Sequence, residues 1–150
     1  MIIFLGFLFS VIFLLFVGFI NGQPSWFVDS ASPAFVLYPP IFFLWVTKGG
    51  KAIKGYIKSS FKRSYQYSAT ELNDIASASK GAVKVTLAAG CFGFLGGIIG
   101  AMRFAGPEYL ASNLALAFIS LLYSIAIAFF CFFPLQAWAE NKAAQIERNN

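Results

Sequence analysis

Two apolar segments joined by a short polar turn decide the fold of this chain: VTLAAGCFGFLGGIIGAMRF at 85–104 and NLALAFISLLYSIAIAFFCFFP at 113–134. Glycines at 90, 93, 97 and 100 recur in the first segment at steps of three and four, which places them on one face of a helix. In water, each of them would cost a helix about 0.5–1 kcal/mol relative to alanine. In lipid, a helix face without side chains lets a second helix approach closely. The first segment therefore predicts a membrane helix that packs against a neighbour.

The second segment carries a matching stripe of small or weakly polar side chains. They recur at three- and four-residue steps: Asn113, Ala117, Ser120, Ser124, Ala128 and Cys131. We expect the two segments to pack through small residues and the terminal proline, a set comprising Gly90, Gly93, Gly96, Gly97, Gly100, Ala117, Ala128 and Pro134.

The composition is that of an integral membrane protein. Hydrophobic residues make up 59% of the 150 residues and charged residues only 11%, whereas charged residues form about a quarter of a soluble domain. We predict an all-α fold with four membrane spans at about 1–20, 33–48, 84–104 and 113–134, forming a single membrane domain over 1–150. Residues 1–20 lack the positive start and small-residue cleavage site of a signal peptide, so they are interpreted as a retained span.

The distribution of charge predicts the orientation of the spans. Most Lys and Arg residues lie in the loop at 48–84 or in the polar tail at 135–150, while Arg103 stands alone near the turn between the last two spans. Because basic residues accumulate on the cytoplasmic side, the loop, the tail and both termini are predicted to be cytoplasmic. The same rule explains the net charge of +5 without nucleic-acid binding.

The cytoplasmic loop begins with a regularly basic stretch. Its positive side chains are Lys48, Lys51, Lys54, Lys58, Lys62 and Arg63, with apolar residues between them. This pattern fits a basic amphipathic helix on the membrane surface, in contact with lipids. It fits equally well the solvated flank of the second span. Further along, Ser68 and Glu71 form an S-x-x-E capping box that predicts a helix start.

The residues argue against catalysis and against a bound metal or cofactor. The chain has no histidine and only two cysteines, and it contains no paired carboxylates, metal-ligand spacing or phosphate loop. Asp, Glu and Lys are also missing from the apolar length of the spans, where a transporter normally places an ionisable group. If the protein helps to move ions, the titrating carboxylate must therefore come from a partner chain.

Three motifs together resemble the MotA/TolQ/ExbB family, and the MotA branch in particular. FVDSAS at 27–32 looks like F-[IV]-D-x-P-S, and FGFLGGIIGAM at 92–102 looks like L-x-G-x-x-G-T-x-x-G-x-[ML]. ALAFISLLYSIAIAFFCFFP at 115–134 looks like A-[LV]-x-T-T-L-Y-G-x-x-x-A-x-x-x-x-x-P. The resemblance covers most of the chain.

The resemblance implies a bacterial inner-membrane protein that forms a ring of five subunits around a single-span partner like MotB, TolR or ExbD. The partner's aspartate would carry a proton or sodium ion, and ion flow would turn the ring. The implied residues of the ion path are Ser120, Ser124, Tyr123, Gly97 and Leu121. Gly97 and Leu121 stand where the family has pore threonines, and the loop at 48–84 is much shorter than the rotor-contacting domain of MotA proteins.

Two functional hypotheses follow from these matches and departures. The first is an ion-driven motor or channel subunit in which Ser120 and Ser124 replace the lost threonines. The second is a non-conducting scaffold of the same fold that assembles other envelope proteins. The survival of both the glycine and the serine stripes favours the motor, because a scaffold needs no hydroxyls.

We expect the purified protein to be a homo-oligomer, with five subunits as the resemblance implies. The reason is that one glycine stripe and one serine stripe offer more small-residue surface than an isolated bundle of four spans needs. Native mass spectrometry from a mild detergent measures the subunit number directly. A spectrum containing only monomer would contradict the prediction.

Overall fold

The structure is a computed structural model that describes residues 2–20, 31–47, 49–60, 65–104, 106 and 110–149. Within these ranges the chain is helical and contains no strand, which confirms the predicted all-α class. The elements are α1 (Ile2–Ile20), α2 (Ala31–Val46), α3 (Gly49–Ser60), α4 (Ala69–Phe104), α5 (Leu110–Ile127), a π segment (Ala128–Phe132) and α6 (Phe133–Asn149).

Three helical stretches in the described part of the chain are long and apolar enough to cross a membrane: Ile2–Ile20, Ala69–Arg103 and Ala117–Arg148. The region predicted as the second span forms a shorter apolar helix at Pro33–Val46. It contains Pro39 and Pro40 within its helical turns. The helices are thus those of a membrane protein, while the span number of four and the orientation stay predictions.

Helix α4 is the centre of the fold because it contacts α2, α3, α5 and α6. Its 36 residues extend about 54 Å at 1.5 Å per residue, well beyond the roughly 30 Å of a hydrocarbon core. The helix that begins at the capping box and the third predicted span are therefore one continuous rod. The rod is thus roughly 24 Å longer than one crossing of a hydrocarbon core needs.

The capping box forms as the sequence predicts. The Glu71 carboxylate accepts hydrogen bonds from the Ser68 backbone N–H at 2.9 Å and the Ser68 hydroxyl at 3.2 Å, while the Glu71 N–H donates to that hydroxyl at 3.2 Å. The Tyr65 hydroxyl donates to the other carboxylate oxygen at 2.8 Å. Bonds from Ser68 and Tyr65 lower the pKa of Glu71, and the hydrogen bond to Glu71 raises the pKa of Tyr65.

The fourth predicted span continues without a break into the tail. Pro134 has no N–H for the carbonyl of Phe130, and its ring crowds that carbonyl. The helix accommodates the proline through the π segment, in which the Phe133 N–H donates to the carbonyl of Ala128 instead. Phe133 keeps right-handed helical angles. Helices α5 and α6 therefore form one rod of about 60 Å.

The regions predicted as the 48–84 loop and the tail pack together into a small helical bundle, a contact that was not predicted from the sequence. Its buried core, here called the bundle core, joins α3, the first half of α4 and α6. It consists of Ile53, Tyr56, Leu72, Ile75, Ala76, Ala78, Leu135, Ala139 and Ala143. Ile53 and Tyr56 form the apolar face of α3. These two residues pack on protein, while Ile57 of the same helix stays exposed.

Ser68→Ala tests the start of α4, because the substitution removes the hydroxyl that accepts the Glu71 N–H. Loss of an N-cap costs about 1 kcal/mol, so we expect the amides at 69–72 to exchange hydrogen roughly fivefold faster than in the parent. Hydrogen-exchange mass spectrometry measures this. Unchanged exchange at these amides would contradict the assigned cap.

The same cap predicts a pH dependence. The folded pKa of Glu71 is lowered, so its contribution to stability is present above the unfolded pKa and is lost as the pH falls through the folded pKa. We expect the difference in unfolding temperature between the parent and Glu71→Gln to disappear on acidification. A difference that persists at a pH well below the glutamate range would contradict this.

Candidate functional site

The candidate site is the contact between α4 and α5, here called the glycine–serine seam. It pairs Gly90 with Ser124, Gly93 with Ser120 and Gly97 with Ala117. These pairs run along the two helices in opposite directions, as expected for neighbours joined by a short turn. The structure thus brings together the two small-residue stripes that the sequence predicts to pack.

The seam leaves no room for side chains on α4. A Cβ atom added at Gly97 would lie 2.6 Å from the Ala117 Cβ and 3.0 Å from its Cα. At Gly93 it would lie 3.0 Å from the Ser120 hydroxyl oxygen, and at Gly90 it would overlap the Ser124 side chain. The glycines are required because the α5 backbone and its small side chains occupy the space that any larger residue would need.

Two other glycines of the predicted packing set do not take part in the seam. A Cβ atom added at Gly96 or Gly100 would meet no described atom within 4 Å. Both lie on the face of α4 that also carries the exposed side chains of Phe92, Leu95 and Ile99.

The two serine hydroxyls are buried in the seam and bonded within their own helix. Ser120 donates to the Ala117 carbonyl at 2.8 Å, and Ser124 donates to the Leu121 carbonyl at 2.8 Å. Both side chains are at most 5% exposed. Each hydroxyl therefore meets its hydrogen-bonding need without a partner from outside, although its lone pairs can still accept a further bond.

The remaining candidate residues lie around the seam. Tyr123 is half-buried and packs beside the cluster of Val36, Ile127 and Cys131, which joins α2 to α5 and the π segment. Ala128 is buried within the π segment, and Pro134 lies in the first turn of α6. The exposed side of α5 and the π segment is apolar and includes Phe118, Ile125 and Phe129.

A second close helix contact, not predicted from the sequence, joins α1 to the π segment. A Cβ atom added at Gly6 would overlap the Phe130 carbonyl and lie 2.9 Å from the Cys131 Cα. One turn later, the Ser10 hydroxyl lies 2.9 Å from the Gly6 carbonyl and 3.2 Å from the Ala126 carbonyl. The signal was present in the sequence, because the four buried residues of α1, Gly6, Ser10, Leu14 and Gly18, recur every four residues.

Several predicted features fall outside the described residues. They are Lys48, Lys62 and Arg63 of the basic stretch and most of the FVDSAS motif. The described lysines of the basic stretch, Lys51, Lys54 and Lys58, are exposed on α3. Across the described ranges there is no group of three or more Cys, Asp or Glu residues that could hold a metal ion.

Comparison of this chain with known protein families, with curated proteins and with solved structures finds no match. The class that the fold itself defines is an all-helical protein whose apolar helices are long enough to span a membrane, with a closely packed central helix pair.

Gly97→Ala and Gly96→Ala form a matched pair that tests the seam. The two residues are adjacent in α4, but only Gly97 faces Ala117. Overpacking of this kind costs about 1–3 kcal/mol, so we expect Gly97→Ala to lower the unfolding temperature in detergent and Gly96→Ala to leave it unchanged or raise it. Equal unfolding temperatures for the two variants would show that the seam is absent.

Proposed function

We propose that this chain is a MotA-like subunit of an ion-driven motor or channel in a bacterial inner membrane. In this proposal, five copies form a ring around a single-span partner of the MotB, TolR or ExbD kind. The partner supplies the aspartate that carries a proton or sodium ion. The motif resemblance supports the family, and the glycine–serine seam lies at the motifs of the last two spans.

One observation carries the proposal: the only hydroxyls near the middle of the fourth predicted span, besides Tyr123, are those of the seam. An unpaired polar group in hydrocarbon costs several kcal/mol, so a carboxylate moving at this depth requires hydrogen-bonding partners. Ser120 and Ser124 can provide them if the carboxylate approaches along α4 and α5. Such an approach requires the hydroxyls to exchange their own carbonyl partners for the carboxylate.

The two long rods could transmit a rotation of the ring from the ion path to the bundle core. Helices α4 and α5–α6 continue unbroken beyond the seam and meet in the bundle core, so in this proposal they carry the motion out of the membrane. A helix pair that is locked by backbone contact at the seam turns as a unit, because neither helix can slide without a clash. A rotation driven in the membrane would therefore reach the cytoplasmic bundle without the large rotor-contacting domain of MotA proteins.

A non-conducting scaffold is the second candidate, and a specific observation favours it. Ser120 and Ser124 are already bonded to carbonyls of their own helix and are covered by α4. In a scaffold these serines would serve only as small residues that fit against glycine. The two candidates differ in what the hydroxyls do, and this difference can be measured.

The double variant Ser120→Ala with Ser124→Ala separates the two functions. If the chain is a motor subunit, loss of both hydroxyls should reduce ion flux through the ring and its partner at least about tenfold, because the carboxylate loses its partners at depth. Flux is measured in proteoliposomes with a pH- or sodium-sensitive dye. Native mass spectrometry should show the same subunit number as the parent, since the seam keeps its shape.

Ser79→Ala is the matched control. The Ser79 hydroxyl is also buried and donates to a carbonyl of its own helix, that of Ile75, but it lies in the half of α4 that forms the bundle core. It should leave flux unchanged. If the double variant conducts as well as the parent in the presence of the partner, the motor proposal is wrong and the scaffold is favoured.

A further inference from the structure

A half-open cavity of about 320 Å³ lies between α3, the segment at 65–68 and the first turns of α4. The residues used below are Lys51, Gly55, Tyr65, Tyr67, Glu71 and Asp74, all of which line it. Ligand cavities commonly measure about 300–1,000 Å³, so this one suits a small group. The proposed ion path does not involve it.

The cavity presents charges of both signs. The Glu71 oxygens are occupied by Tyr65 and Ser68, so Glu71 is held in place as part of the wall. The Asp74 carboxylate is exposed and has no hydrogen bond or ion pair within the described part of the chain, and the same holds for the Lys51 ammonium. The groups available to a ligand are therefore one carboxylate and one ammonium.

The aromatic side chains favour a cation close to the carboxylates. Tyr65 and Tyr67 meet edge to face with ring centroids 4.9 Å apart. The Lys142 ammonium lies 4.9 Å from the centroid of the Tyr67 ring, so Tyr67 already holds a cation and Tyr65 is the ring that can take up a second one.

The cavity also lies close to the start of a membrane span. The backbone N–H of Ile2, the first residue of α1, donates to the Tyr56 hydroxyl on the cavity wall at 3.2 Å. Helix α3 begins at Gly49, directly after the apolar α2 with its exposed Trp45 near the end. Tryptophan and tyrosine at span ends mark the level of the lipid headgroups.

We propose that this cavity binds the phosphoethanolamine headgroup of a membrane lipid, with the ammonium at Asp74 and the Tyr65 ring and the phosphate at Lys51. A zwitterion matches the two signs of charge that the cavity offers. A purely anionic headgroup would meet Asp74 and Glu71, and like charges at close range oppose binding. A purely cationic group would meet Lys51.

The experiment uses the full chain in nanodiscs that contain equal amounts of phosphatidylethanolamine, phosphatidylglycerol and phosphatidylcholine. Lipids that remain bound after gentle release are counted by native mass spectrometry. Phosphatidylethanolamine should be retained at least about fivefold over the other two lipids. The quaternary ammonium of phosphatidylcholine donates no hydrogen bond to Asp74, and phosphatidylglycerol has no ammonium.

Two pairs of variants test the cavity itself. Asp74→Asn removes the free carboxylate and should reduce phosphatidylethanolamine retention roughly tenfold, whereas Glu147→Gln removes an exposed carboxylate of α6 and should not. Gly55→Leu places a side chain where no described atom lies within 4 Å, so it should block the headgroup without disturbing the fold. Gly55→Ala, which adds only a Cβ, should retain the lipid.

Three results would overturn the proposal. One is equal retention of all three lipids, and another is retention that Asp74→Asn and Gly55→Leu leave unchanged while circular dichroism shows both variants folded. The third is displacement of the lipid by soluble glycerophosphoethanolamine or by a Lys- and Arg-rich peptide at equal concentration, since this would assign the cavity to a free metabolite or to a protein segment. Ion flux does not enter these measurements, so their failure is distinguishable from failure of the motor proposal.

Discussion

The approach of two helix backbones at the glycine–serine seam is the constraint on which the other contacts depend. Lipid tails are as apolar as the side chains of the spans, so apolar burial alone gives membrane helices little reason to associate. Dispersion contacts at short range have to hold them together, and these require small residues on both sides. Gly97 against Ala117 meets this requirement most clearly. Because α4 also contacts α2, α3 and α6, the position of α5 on α4 orients the whole assembly of helices.

The two long rods connect the glycine–serine seam to the bundle core. At the seam their contact is made by residues almost without side chains, whereas in the bundle core it is made by larger apolar side chains such as Leu72 and Leu135. Burial of large apolar side chains stabilises a contact in water but not in lipid, so the difference fits the predicted passage of the rods from membrane to water. The π segment lies between the seam and the bundle core, where Pro134 would otherwise break the helix. Helix α1 packs against the π segment there through Gly6 and Ser10.

The seam explains why a hydroxyl stripe by itself does not identify an ion path. A serine is nearly as small as an alanine, and its hydroxyl can bond a carbonyl of its own helix, so Ser120 and Ser124 fit the seam whether or not an ion passes. The motor proposal therefore depends on a carboxylate from a partner, while the scaffold needs nothing beyond the contacts already made. What favours the motor is the motif resemblance, together with continuous rods that could transmit a rotation.

The sequence by itself determined the helical class, the apolar helices, the capping box at Ser68 and Glu71, and the pairing of the glycine stripe with the serine stripe. These features are local or periodic, and a period of three to four residues is readable in one dimension. Only the tertiary structure decided which glycines are used: Gly90, Gly93 and Gly97 pack on α5, while Gly96 and Gly100 remain open. It also decided that α3 packs on α4 and α6, because an amphipathic pattern shows that a face is apolar without showing whether lipid or protein covers it.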